Sequence, residues 1–305
     1  MSSLLGFALG LRPSKDVLWT MRPENCRGVT AKERAACAGK GAQSNPGSNI
    51  ELNAIVATLS TGPVSLADKA HATNVTIVRR CARLDGRILQ PDKPATAVDS
   101  MLVQPGWRSG RTAPPGMVWA TSTALSGVVW HHVLSIDVGL PWRLHGNDLY
   151  PPMPDVATAP NEGWVAHPWF SPTAHHPTTC TNGVRALASG CIVAHVRSAV
   201  DVPPIHNTRP IMAQNDTHAF DLLELAPVVR GWALLGEVGA YVRVSRGRFE
   251  RVEFVPTGIR ATLLGSEDET VEVAALRPDG AGDWVVLVKR ATFRGDSGKL
   301  QIAFT

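Results

Sequence analysis

The sequence predicts an α/β segment followed by an all-β domain. Residues 1–104 are expected to hold the last strands and helices of a (β/α)8 barrel, and residues 105–305 an antiparallel β-sandwich. Three observations predict this. Residues 52–68 place Leu52, Ile55, Val56 and Leu59 at helical spacing, break at Thr61-Gly62-Pro63, and resume as the short apolar run Val64-Ser65-Leu66-Ala67. That run stops at Asp68-Lys69, so a strand would end on a carboxylate beside an amine, as barrel strands do at an active face. Beyond Pro91, Pro94 and Pro105, which mark a linker near Gln104, strand-like runs recur at short spacing with Gly, Pro and Asp between them. An Asp after a strand also caps helices, so a chemical and a structural role for Asp68 stand side by side.

In chain order, residues 4–11 are apolar and too short a run for periodicity to separate helix from strand. Residues 12–19 follow as a loop or strand end that sets charge next to Trp19. Residues 22–48 are polar and Gly/Ala-rich, an insertion longer than compact domains usually carry without purpose. After the central unit, Val75, Val78 and Cys81-Ala82 keep a helical rhythm that Asp85-Gly86 stops, and residues 87–91 form a short extended piece. Strands are expected at 128–138, 191–200, 219–225, 231–236, 241–245, 248–255, 259–264, 270–275, 284–289 and 300–304. Residues 150–182, rich in Pro, His and Trp, show no period.

The totals exclude several classes. Of 305 residues, 44% are hydrophobic and 18% charged, which describes a lightly charged globular chain. The net charge of +4 comes from 30 basic against 26 acidic residues without a dense Lys/Arg block, so no nucleic-acid partner is expected. No apolar run reaches the roughly 18 residues of a membrane span. Residues 1–16 imitate a signal peptide, but they lack a basic start and are interrupted by Gly6, Gly10 and Pro13. They read as the interior of a folded domain, which makes the chain a fragment beginning in mid-domain. Of the five cysteines, Cys26/Cys37 and Cys180/Cys191 each flank a polar loop that a local disulfide could close, and Cys81 lies on an apolar helix face as a buried thiol. The sequons at Asn74 and Asn215 permit glycosylation if the chain is secreted.

Asp16, the Gly62-Pro63 turn and Asp68-Lys69, in this order, resemble the carboxyl-terminal part of glycoside hydrolase family 36, the α-galactosidase-like and raffinose synthase-like proteins. That family runs an apolar segment into Pro-Asp-Trp-Asp-Met-Phe, then a helix, a Gly-rich turn, Val-Ser-Asp-Lys-Pro-Gly, another helix and Leu-Pro-Asp-Gly-Ser. The corresponding stretches here are residues 5–11, Pro13-Ser14-Lys15-Asp16-Val17-Leu18, Val64-Ser65-Leu66-Ala67-Asp68-Lys69-Ala70 and Leu84-Asp85-Gly86-Arg87. The likeness covers residues 5–104; residues 220–228 and 241–249 are similar in style to the family's terminal β-domain. It implies a barrel followed by a sandwich, and action on α-linked galactosyl groups by two carboxylates about 5–5.5 Å apart. Both carboxylates would lie upstream of Met1, so no catalytic residue carries over and the chain alone would be inactive.

What the resemblance does carry over is the rim of a sugar pocket: Asp16, Asp68 and Lys69, with Trp19 offering a ring face to a hexose. A carboxylate accepts sugar hydroxyls and an ammonium donates to sugar oxygens. Ser14, Lys15, Ala70 and His71 depart from the family pattern and weaken the galactose preference more than the fold. No cofactor is implied, and a carbohydrate is the expected partner. The competing function is a non-catalytic carbohydrate-binding or interaction module centred on the sandwich.

Other motifs weigh less. His167, His175, His176 and Cys180 are zinc-type ligands at no standard spacing. His131 and His132, adjacent in a strand, face opposite sides and read as packing. Gly295-Asp296-Ser297-Gly298 resembles a protease nucleophile loop but reads as a β-turn. Trp119, Trp130, Trp142, Trp164 and Trp169 fit either a sandwich core or a carbohydrate-binding face.

Overall fold

The computed structural model describes residues 7–11, 17–20, 49–68, 73–99, 101, 116–138, 142–152, 163–169, 194–196, 199–202, 220–278, 284–295 and 297–305. Two helices come first. Helix α1 (Ile50–Leu59) is capped by Asn49, whose side chain accepts from the backbone N–H of Leu52. Helix α2 (Val75–Cys81) is capped in the same way by Asn74, and its cationic pair Arg79-Arg80 sits in the last turn, where the helix dipole favours positive charge.

Fourteen strands follow among the described residues: β1 (Thr96–Ala97), β2 (Met117–Leu125), β3 (Val128–Ile136), β4 (Trp142–His145), β5 (Trp164–Pro168), β6 (Ala194–Val196), β7 (Ala199–Val202), β8 (Phe220–Val229), β9 (Trp232–Glu237), β10 (Phe249–Val255), β11 (Gly258–Leu264), β12 (Thr270–Pro278), β13 (Trp284–Thr292) and β14 (Lys299–Phe304). Every strand pairing is antiparallel. The largest sheet runs β1-β2-β3-β8-β9-β12-β13, with β5 on the other edge of β8 and β6 beside β5. Strands β10-β11-β14 form a second sheet and β4-β7 a two-stranded ribbon.

Two hairpins show how the sequence sets register. Leu125 pairs with Val128 across Ser126-Gly127, and Val229 pairs with Trp232 across Arg230-Gly231. Both residues of each turn have positive φ, the geometry that matches strand twist in a two-residue loop.

The sandwich core lies between β8-β9-β12 and the β10-β11-β14 sheet, where Leu234, Val273, Phe249, Ile259, Leu263 and Phe304 are fully buried. At the other end of the large sheet, α1 covers Leu134, Phe220 and Leu222, together with Trp169 and Tyr241. Its inner residues Ala54, Ile55 and Leu59 are at most 1% exposed, each of the two larger ones contributing about 1.5–3 kcal/mol of burial. The opposite face of that sheet packs Val118, Val133 and Leu225 on Val98, Met101 and Leu144.

The all-β architecture expected for the second part of the chain is therefore present. The barrel expected over residues 1–104 is not seen among the described residues. They hold α1, α2, the two-residue strand β1, and a parallel bridge between Leu18 and Leu66 in place of the strand expected at 64–67. Gly62-Pro63 ends the helix as expected, but Ser65 and Leu66 are exposed, so the run is not a buried strand. Residues 241–245, expected as a strand, form a chain of bends instead, because they turn back to meet β9: the Glu237 N–H donates to the Arg243 carbonyl at 2.8 Å. β2 and β5 are additional strands, the latter inside the aperiodic 150–182 stretch.

Candidate functional site

The residues singled out by sequence reasoning separate in space. Asp16 and Lys69 lie outside the described residues, as do Cys26, Cys37, His175, His176, Cys180 and Cys191. Asp68 has a structural employment. Its two carboxylate oxygens accept from the Thr20 backbone N–H at 2.9 Å and the Thr20 hydroxyl at 2.5 Å. The Thr20 oxygen in turn accepts from the Asn74 N–H at 2.7 Å, so the carboxylate clamps three segments at the start of α2. Trp19 stands 54% exposed beside the Leu18–Leu66 bridge, with Val17 and Leu66 exposed near it.

Among the described side chains, Trp119, Trp130, Trp164 and Trp169 do not form an exposed aromatic face. Trp130, Trp164 and Trp169 are 1–3% exposed, and Trp119 packs against the cluster under α1. Two spend their indole N–H groups on backbone carbonyls: Trp130 on Leu234 at 2.8 Å and Trp169 on Ala240 at 2.7 Å. Among the described residues no three His, Cys, Asp or Glu side chains gather as a metal site. Ser297 is exposed, and its hydroxyl exchanges hydrogen bonds with the backbone of Lys299, as a turn residue does.

Three polar clusters that the sequence did not reveal are buried. On the α1 face, the Thr123 hydroxyl lies 3.1 Å from Nε2 of His132, and Nδ1 of His132 lies 3.2 Å from Glu224. Arg243 approaches the same carboxylate at 3.6 Å. The connectivity is that of a nucleophile, a base and an acid, but Thr123 is 0%, His132 1% and Glu224 6% exposed, so no substrate reaches it. The second cluster is Arg248, which donates to both oxygens of Glu237 at 2.7 and 3.2 Å and to Glu269 at 2.5 Å. In the third, Glu51 on α1 accepts from the Tyr241 hydroxyl at 2.6 Å and from Arg80, whose guanidinium lies over the Trp169 ring. Burial raises the Cys81 thiol to about 11, which leaves it an inert core residue. These clusters tie α1 and the 83–84 loop to the sandwich; they hold the fold and do not face solvent.

Among the described residues, an open groove of about 500 Å³ presents polar groups to solvent. Three segments line it: Thr61-Gly62-Pro63 after α1, residues 87–92, and Ser245-Arg246-Gly247. Their backbones are stitched together. Gln90 donates to the Gly62 carbonyl at 2.7 Å, Ser245 donates to the Gln90 carbonyl at 2.8 Å, and the Gly247 N–H donates to the Ser245 hydroxyl at 3.1 Å. A Cβ at Gly247 would sit 3.2 Å from the Ile88 carbonyl oxygen, so the two segments pack closely there.

Asp92 accepts from Arg246 at 3.0 Å and from the Ala124 N–H at 2.9 Å, so both its oxygens are engaged. Arg87 is exposed, and its guanidinium has no partner among the described residues. Thr61 is the anomaly. It follows the C-cap Ser60 with φ +60°, a conformation that glycine takes freely and a β-branched residue takes at a cost of about 1–3 kcal/mol. Its hydroxyl is buried without a hydrogen-bond partner, although the residue lines the groove.

No family model and no curated protein matches this chain. Its function has to be argued from the groove.

Proposed function

We propose that the chain is a non-catalytic carbohydrate-binding module, with the groove between Thr61, Arg87 and Arg246 as its ligand site. The observation that carries this reading is the unspent hydrogen-bonding capacity there: the Arg87 guanidinium is exposed on an open groove and bonds to nothing else described. Planar guanidinium and amide groups match adjacent sugar hydroxyls. Pro63 and Ile88 supply apolar surface for the C–H face of a pyranose ring. The groove contains a single carboxylate, Asp92, held by Arg246, whereas glycoside cleavage needs two carboxylates flanking the bond.

Titration calorimetry of the chain against a panel of neutral and acidic oligosaccharides tests this. Millimolar or tighter binding that weakens in Arg87→Ala is expected, and absence of binding across the panel refutes it.

A second reading, the terminal part of a family 36-like barrel with its sandwich, draws on one observation. The Leu18–Leu66 bridge is parallel and has α1 between its two arms, as neighbouring barrel strands have. Its expected outcome is α-galactoside turnover by a longer chain containing this one and loss of that turnover in Asp68→Ala; an intact rate in the variant refutes the pocket role of Asp68.

A further inference from the structure

Building on the carbohydrate-binding reading, we infer that the groove selects saccharides bearing a carboxylate, and that Arg87 is the residue that meets it. The charge balance of the lining points this way. Two guanidinium groups, Arg87 and Arg246, face one carboxylate, Asp92, which already accepts from Arg246 and from a backbone N–H. A ligand entering the groove therefore meets mainly donors and a net positive charge.

Arg87 presents a rigid fork whose spacing matches the two oxygens of a carboxylate. The described lining contains no Trp, Tyr or Phe, the stacking platform that usually holds a neutral sugar. It also lacks a nest of free N–H groups of the kind that cradles phosphate: the Gly247 N–H is already given to Ser245. The chain's net charge of +4 steers acidic polymers in the same sense.

Thr61 adds no ligand contact: it is 3% exposed, and its hydroxyl is buried behind the lining without a hydrogen-bond partner among the described residues.

The test is calorimetry on the full chain with three probes: trigalacturonate, its fully methyl-esterified form, and citrate as a carboxylate with no sugar. Trigalacturonate should bind, and the ester at least about tenfold more weakly, as expected for loss of a charge-assisted pair. Arg87→Ala should lose about tenfold for the acid and little for the ester, with affinity falling as salt rises. Arg290→Ala, an exposed cation on β13, should bind as wild type does. Equal affinity for acid and ester, or wild-type affinity in Arg87→Ala, overturns the inference and leaves the binding-module reading standing. Binding of citrate without either saccharide, or binding of none of the three, overturns the inference, and the oligosaccharide panel then decides the binding-module reading separately.

Discussion

His131 gives the sharpest check on the packing of the large sheet. It lies in β3 opposite Ser122 of β2 and Leu225 of β8, is 1% exposed, and its Nδ1 has no partner among the described residues. Burial, reinforced by the neighbouring His132, lowers its pKa from 6.5 to about 3. The unfolded chain therefore binds a proton between those values that the folded chain refuses. Stability from this group is fully present above pH 6.5 and is lost as pH falls through that window, at about 1.4 kcal/mol per pH unit. Carried down to pH 3, this approaches 4–5 kcal/mol, a large share of the 5–15 kcal/mol typical of a folded domain.

Urea unfolding of wild type and His131→Leu, measured from pH 7.5 to pH 4, isolates the effect from the carboxylates that titrate in both. Near neutrality the two should differ by no more than about 1 kcal/mol, since leucine replaces an imidazole whose buried nitrogen was unsatisfied. Below pH 6 their stabilities should diverge in favour of the variant. Parallel pH dependences would mean that protonated His131 is accommodated, and the burial argument would be wrong.

Three further outcomes follow from the geometry. Arg248→Met strands Glu237 and Glu269 without their shared cation and should cost about 3–5 kcal/mol in urea unfolding, whereas Arg290→Ala on the surface should cost less than 1 kcal/mol. Gly258→Ala would place a Cβ 1.7 Å from the Phe304 carbonyl oxygen, so β11 and β14 must part there; a destabilisation on the order of 3 kcal/mol is expected, read as a fall in melting temperature. Asp68→Ala should release Thr20 and cost about 1–2 kcal/mol while leaving saccharide binding at the groove unchanged, because Asp68 does not line it.

The strands legible in the sequence were those with alternating or continuous apolar runs, from β3 and β8 to β14. Strand β2 was not. Its centre, Thr121-Ser122-Thr123, looks like a polar break, yet each hydroxyl has a partner that only tertiary structure brings near: the Lys93 carbonyl, the Tyr150 carbonyl and His132. Residues 241–245 misled for the converse reason: the run reads as a strand, but all five side chains are buried in a chain of bends, and the charge of Arg243 is met by Glu224 of β8. The Thr61-Gly62-Pro63 turn was visible as a helix terminator, but its role in the groove depends on residues 87–92 and 245–247, which no local pattern connects to it. The sequence alternation did place His131 and His132 on opposite faces, and it was silent on the Glu224 that meets one of them.

Strand β8 has ten consecutive buried residues, and it is bordered by β3, β5 and β9. Its partner in the β8–β9 hairpin is the next strand in the chain, while His132 of β3, which meets Glu224 of β8, is 92 positions away. Assembly of this protein thus has a built-in order of difficulty. The hairpin can close in microseconds, but its long apolar edge stays open until a distant segment arrives, and loop-closure entropy makes that arrival slow. During that wait the edge of β8 is the surface most prone to pair with another molecule, so the yield of refolding should fall with protein concentration before the stability of the native state is ever at issue.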